Sequence, residues 1–256
     1  MKTIKQIQQE FAAASPESRK ELAAQYRDDT RTGVLRLIEK YQKEEEAKAK
    51  EQRRLENMRV FEKEYAGMGW ICGIDEAGRG PLAGPVVAAA VILPEDCLIL
   101  HLDDSKKLTP KRRDELFDVI KEKALGFGIG QASHTRIDEI NILQATYEAM
   151  RMAVAQLPLK PAVSLNDAVT IPGLDLFQVP IIKGDQKSVS IAAASILAKV
   201  SRDRMMEEYD RLYPGYGFAV HKGYGTTEHM AAIQRLGPCP IHRRSFLKFL
   251  PGQEEN

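Results

Sequence analysis

Apolar positions along the chain follow two rhythms, and the change between them divides the molecule. Up to about residue 64 they form thin stripes at helical spacing: Ile4, Ile7 and Phe11, then Val34, Leu35 and Ile38, then Leu55, Met58 and Phe61. Residues 40–64 carry eight basic and seven acidic side chains with neither Gly nor Pro, which favours a solvated helix rich in i,i+4 pairs. Such a helix is marginal alone, so its stripes either dock on a partner surface, nucleic acid included, or stand solvated.

From Trp70 the pattern changes. WICGID (70–75), VVAAAVIL (86–93) and GFGIGQAS (126–133) read as strands, with a helix over 110–124 between the last two. A helix over 138–156 follows, then a strand over 162–167, another over 177–183, a long helix over 188–212 and two short helices. An antiparallel beginning followed by strand-helix-strand crossovers predicts an α/β domain, a mixed sheet with helices on its faces. The expected organisation is a charged helical extension over residues 1–66, an α/β domain with a C-terminal helical part over 67–250, and a tail over 251–256.

Composition narrows the classes. With 256 residues and 43% apolar content the chain can bury one sizeable core and still carry an appendage. Thirty-seven basic against 36 acidic residues exclude any argument from global positive charge, so nucleic-acid binding would have to come from local patches. Cys72, Cys97 and Cys239 are widely spaced, which argues against a disulfide framework and against structural zinc. No apolar run approaches the length of a membrane span, and the amino terminus is charged rather than signal-like. The expected location is the cytoplasm, and nothing demands more than a monomer.

Candidate chemistry concentrates in GIDEAGRGPLAGP, residues 73–85. Asp75 and Glu76 stand at the end of an apolar strand, directly before the turn Gly78-Arg79-Gly80. A strand end can hold hard oxygen ligands rigidly for a divalent cation; glycines let backbone amides come close to a ligand, and Arg79 adds a fixed positive charge. Asp167 and Asp185 also fall at or just past strand ends, where open α/β sheets place their ligand sites. Taken singly, either would read as a helix cap. Four gathered carboxylates repel one another unless cations neutralise them, and oxygen ligands without Cys or His select magnesium or manganese. For phosphate contacts the candidates are Lys199 and Arg202 on one helix face, Lys106 and Lys107 in a loop, and Arg235, Arg243, Arg244 and Lys248 in an acid-free stretch near the carboxyl end. The histidines show no ligand spacing and read as structural or phosphate-contacting. Asp103, Asp104, Asp203 and Asp210 read as surface or helix-end charges.

GIDEAGRGPLAGPVVAAAVIL, DSKKLTPKRR, LNDAV, KGDQKSVSIAAASILAKVSRDRMM and HKGYGT, in that order, resemble the bacterial ribonucleases HII over roughly residues 70–246. The resemblance implies a ribonuclease H-like fold and hydrolysis of RNA in RNA·DNA hybrids. It also implies incision 5′ of single ribonucleotides embedded in duplex DNA. It further implies Asp75, Glu76, Asp167 and Asp185 as catalytic carboxylates holding two Mg²⁺ or Mn²⁺ ions, the turn Gly78-Arg79-Gly80 as reader of the 2′-hydroxyl, and Tyr224 as sensor of the RNA-to-DNA junction. The chain departs from the family at Ser164 and Asn166, where apolar residues are usual. Rival expectations are a ribonuclease HIII, against which Arg79 argues, and a hybrid-binding protein without catalysis, against which the full carboxylate set argues. Nothing in the sequence selects a replication clamp or other protein partner.

Overall fold

The structure, a computed structural model, describes residues 2–247; Lys248 and the tail lie outside the described residues. The chain forms two compact units, Met1–Glu56 and Asn57–Asn256. Helices α1 (Ile4–Ala13), α2 (Pro16–Gln25) and α3 (Thr32–Asn57) account for the first. Thr3 and Gln6 close a capping box on α1, and Ser15 caps α2 ahead of Pro16. The thin stripes close on one another: Ile7, Phe11, Val34 and Ile38 are buried together, and Phe11 stacks on Tyr41 with ring centroids 5.0 Å apart. Leu35, grouped with that stripe on spacing, is instead exposed.

The second unit opens with α4 (Val60–Tyr65), followed by β1 (Ile71–Ala77), β2 (Val86–Ile92), α5 (Pro110–Lys123) and β3 (Gly126–Ala132). Then come α6 (His134–Ala155), β4 (Val163–Asp167), β5 (Phe177–Ile181), α7 (Val189–Leu212), α8 (Phe218–His221) and α9 (Thr227–Leu236). Phe61, expected to extend the stripes of the N-terminal helices, packs instead with Val163, Leu165, Ile181 and Ile191 under the sheet. Its neighbour Glu62 accepts hydrogen bonds from the Ser188 hydroxyl and the Ser190 N–H at the start of α7. Helix α6 begins four residues earlier than its apolar period suggests and breaks at Asn141, whose side chain caps the second segment through the N–H groups of Leu143 and Gln144.

The five strands lie in the order β3-β2-β1-β4-β5; β2 is antiparallel to β1 and β3, whereas β4 is parallel to β1 and β5. Every residue of β2 is buried because α6 covers one face and α7 the other, which explains a continuous apolar strand rather than an alternating one. Helix α7 sits on β1 with no room to spare. A Cβ added at Gly73 would lie 2.1 Å from the Ser190 carbonyl carbon, and Ala192, Ala193 and Ala194 continue the small-residue contact, all fully buried. Gly73→Ala is therefore expected to lower stability by about 2–3 kcal/mol or more, as overpacking of a rigid core does, measured by the denaturant midpoint. An unchanged midpoint would contradict this packing.

Candidate active site

Parallel pairing aligns Ile74 of β1 with Asn166 of β4, so the next residues, Asp75 and Asp167, stand side by side on neighbouring strand ends, with Glu76 following. The Asp167 carboxylate accepts a 2.8 Å hydrogen bond from Gly184 N–H, which ties down the turn carrying Asp185. From α7 the Ser195 hydroxyl reaches Asp75 and also bonds Ser105 at 2.8 Å. Asn166, fully buried, donates to the Val169 carbonyl and to Gln178, bracing the end of β4; its own Oδ1 and the Ser164 hydroxyl have no partner.

The four carboxylates named from sequence thus share one end of the sheet. They are not drawn into a closed cage: among the described residues no three acidic, histidine or cysteine side chains converge as a metal-ligating group. Asp185 leans toward a fifth acid, Asp104, with which it is hydrogen-bonded, and Gln186 donates to Asp104 at 3.4 Å. Asp104 is buried, against the expectation of a surface charge. An acid directly before the Ser105-Lys106-Lys107 loop was the only sequence signal for it.

These groups are electrostatically strained. Burial first, then Glu76 and Asp167, raise the Asp75 carboxyl well above its ordinary range. Burial also raises Glu76, with Arg79 opposing; their side chains meet at 3.3 Å while Glu76 Oε2 is buried without a partner. Asp185 is pushed up to about 6 by burial, Asp104 and Asp167. Lys106, exposed beside Glu76 and Asp185, works against both shifts, whereas Lys107 pairs with Asp103 at 3.3 Å. An orphaned carboxylate oxygen among acids short of positive charge fits hard divalent cations, and Asp75, Glu76, Asp167 and Asp185 are the oxygen donors available to hold them.

Behind the acids, Gly78 takes φ +97°, and an added Cβ there would meet Arg202 Nε at 2.0 Å. Arg202, expected to grip phosphate, is 1% exposed; it donates instead to the carbonyls of Pro85 (3.0 Å), Ala83 (3.1 Å) and Lys222 (2.9 Å). Arg243, expected to contact duplex, is fully buried and donates to the carbonyls of Gly78 (2.6 Å), Arg79 (2.9 Å) and Gly84 (2.9 Å). Burial, then Arg202, pulls the Arg243 guanidinium down to about 9. Both corrections have one cause: the turn exposes more carbonyls at its back than local structure can satisfy, and a guanidinium fork supplies five donors.

Tyr224 is 41% exposed, with Arg202 Cζ 5.9 Å from its ring centroid. It opens onto a cleft of ≈ 670 Å³ lined by Lys199, Arg204 and Lys222 among others. Each of those cations is already paired, Lys199 with Asp203 (2.7 Å), Arg204 with Asp114 (3.1 Å) and Lys222 with Glu207 (2.6 Å). Arg235 and Arg244 are exposed. A second concavity, ≈ 280 Å³ beside Trp70 and Leu93, lies at the other end of β1 from the acids.

A mixed five-stranded sheet with acids on adjacent strand ends and a hydrogen-bonded Gly-Arg-Gly turn defines a nuclease of the ribonuclease H-like fold. Ribonuclease H2 from Pyrococcus horikoshii is similar to it, with TM-score 0.59 and 28% identity over 69% of this chain and 93% of that one. The ribonuclease HII of Archaeoglobus fulgidus, solved in complex with PCNA, gives TM-score 0.55 and 26% identity over 73% and 98%. The ribonuclease HII family model matches residues 72–249, and the model of the ribonuclease HII N-terminal domain matches residues 3–66. Ribonuclease HII of Lachnoclostridium phytofermentans is 59% identical over 88% of this chain and 89% of its own, and that of Clostridioides difficile 52% identical over 96% and 98%. The chain belongs to the ribonuclease HII family and is a hydrolase of the ribonuclease H type. Among the described residues no helix is long and apolar enough to cross a membrane.

The raised carboxyl of Asp185 makes a test in chelator. Between its unfolded value near 4 and its folded value of about 6, the native protein holds a proton that the unfolded chain has released. Stability should therefore fall as pH rises through that window, and Asp185→Asn should flatten the fall. Melting curves from pH 4 to 7 that are identical for the two proteins would contradict the assignment.

Proposed function

We propose that the chain hydrolyses the RNA strand of RNA·DNA hybrids and incises 5′ of single ribonucleotides embedded in duplex DNA, as a monomer in the cytoplasm. The products would be 3′-hydroxyl and 5′-phosphate ends. The observation that carries this reading is that Asp75 and Asp167 directly follow the last registered pair of two parallel strands, Ile74 and Asn166, next to the orphaned Glu76 oxygen and in front of a turn clamped from behind. Asp75, Glu76, Asp167 and Asp185 would hold two Mg²⁺ or Mn²⁺ ions, which when bound supply a lowered water pKa and charge stabilisation for in-line displacement.

The residues of the chain would do the rest. Main-chain groups of Gly78 to Gly80 would read the 2′-hydroxyl that distinguishes ribose from deoxyribose, with the bonds of Arg243 to the Gly78 and Arg79 carbonyls holding that backbone and those of Arg202 and Arg243 to Ala83, Gly84 and Pro85 holding the segment that follows it. Arg79, 44% exposed at its side chain, would turn from Glu76 toward a phosphate oxygen. Lys106 and Lys107 stand exposed beside the acids, suited to neutralising the scissile strand, and Lys199, freed from Asp203 by a competing phosphate, would join them from the cleft. The Tyr224 ring, exposed at the mouth of that cleft, would pack on the deoxyribose that follows the ribonucleotide.

The test is a DNA duplex with one internal ribonucleotide, incubated in magnesium and in chelator. The expected result is metal-dependent incision 5′ of the ribonucleotide, with Asp75→Asn slowed about a thousandfold or more, the several kcal/mol that metal-held charge stabilisation is worth. Cleavage of a long hybrid but not of this duplex would favour a ribonuclease HIII-like activity, and cleavage of neither a binding protein. Tyr224→Ala should lower kcat/KM on the single ribonucleotide about tenfold more than on the long hybrid, the scale of one stacking contact. Equal losses would remove its junction-sensing role.

A further inference from the structure

Beneath Tyr224 lies a chain of buried side chains that the proposed reaction does not use. His229 is fully buried and His242 2% exposed. His229 Nδ1 lies 2.9 Å from the Tyr224 carbonyl, and its Nε2 lies 3.0 Å from His242 Nε2. His242 Nδ1 accepts from the Cys239 N–H at 2.9 Å, with the Cys239 sulfur 3.1 Å away. His242 Nδ1 also lies 3.2 Å from the Cys239 carbonyl, but that oxygen already accepts from His242 N–H at 3.0 Å, and the shorter contact from Cys239 N–H together with the Tyr224 carbonyl at the far end selects one arrangement of protons for neutral rings. His242 accepts at Nδ1, so its proton sits on Nε2 and is donated to His229; His229 accepts at Nε2, so its own proton sits on Nδ1 and is donated to Tyr224. His221 stacks on the ring of His229 (centroids 4.3 Å, 16°) and Phe218 meets it edge-on (5.3 Å, 81°), which holds its plane. Burial keeps the pair neutral at pH 7, lowering His229 and taking His242 down to about 4.

The bond ends on a main-chain carbonyl whose own side chain is exposed; around it Tyr224 N–H donates to the His221 carbonyl and Thr226 N–H to the Tyr224 carbonyl, while Arg202 holds the Lys222 carbonyl and the His221 ring accepts from Gly223 N–H. Arg202 and His221 hold the preceding residues of the loop, and His229 is the side chain bonded to Tyr224 itself, at its carbonyl, which leaves the ring free to meet a ligand. We infer that His229 is a positioning residue for junction recognition, holding the Tyr224 carbonyl through Nδ1–H in a tautomer imposed by His242 and Cys239. This rests on the reading of Tyr224 as the junction sensor.

The experiment compares kcat/KM on a duplex with one ribonucleotide against kcat/KM on a long hybrid, and takes the ratio for the unmodified protein, His229→Asn, His229→Gln, His229→Leu and Tyr224→Ala. The Asn amide places its N–H group where Nδ1–H was, whereas Gln places it near Nε2. His229→Asn should keep the ratio within about twofold, and His229→Leu and His229→Gln should lower it about tenfold, the worth of one hydrogen bond. A loss of overall stability alone would lower both rates together and leave the ratio unmoved. If Tyr224→Ala lowers the ratio and His229→Leu does not, the inference is wrong and the reading of Tyr224 stands; if Tyr224→Ala leaves it unchanged, both fall. Should the His229 variants fail to fold, nitrogen-15 imidazole spectra of the unmodified full chain decide: an Nδ1–H tautomer for His229 at pH 7 supports the assignment, and an Nε2–H or doubly protonated ring overturns it.

Discussion

Helix α7 lies on strand β1 without space for one methyl group between them, and most of the site depends on that contact. Gly73 admits the backbone of Ser190, so the helix start is pinned to the strand two residues before Asp75. One further turn along, Ser195 reaches Asp75; the lead-in to the same helix carries Asp185, and two turns beyond Ser195 its Arg202 enters the back of the Gly78 turn. A single rigid element therefore fixes acids, turn and, through the Lys222 carbonyl, the loop of Tyr224. A site held this way can keep repelling carboxylates together in the absence of any ion, because packing over a long helix outweighs their mutual repulsion.

The electrostatics of the two sides of the turn are opposite. In front stand Asp75, Glu76, Asp167, Asp185 and Asp104, with burial forcing three of them toward the protonated form. Behind stand two buried guanidiniums bonded to six carbonyl groups. The turn thus separates an acidic face from a basic one that is closed to solvent. Buried charges compensated only by backbone dipoles cost stability, and in exchange they hold the turn through its own carbonyl groups.

Strands and acids were legible because each is a local signal. Asp75 follows an apolar strand and precedes a glycine turn, and Asp167 closes a short strand, so period and punctuation were enough to place them. What could not be read depends on residues far apart in the chain. Arg202 looks like a surface cation within the polar stretch LAKVSRDR, and its burial is decided by carbonyls at Ala83 and Pro85, 119 and 117 residues away. Arg243 is the same case, with partners 164 and 165 residues distant at Arg79 and Gly78. Asp104 sits in an irregular segment without periodicity, and the histidine chain has no ligand spacing because it holds backbone and other rings rather than an ion. The thin stripes of the N-terminal helices were visible, but not that Ile7, Phe11, Val34 and Ile38 would close on each other.

The central claim is that the strand-end carboxylates hold the divalent ions. The most direct measurement is anomalous diffraction from crystals of the Asp185→Asn protein and the unmodified protein, each grown with manganese and a duplex carrying one ribonucleotide. The account predicts manganese peaks bounded by Asp75, Glu76, Asp167 and Asp185 in the unmodified protein, with the peak at Asp185 lost in the variant. Peaks elsewhere, or peaks that ignore the substitution, would contradict it.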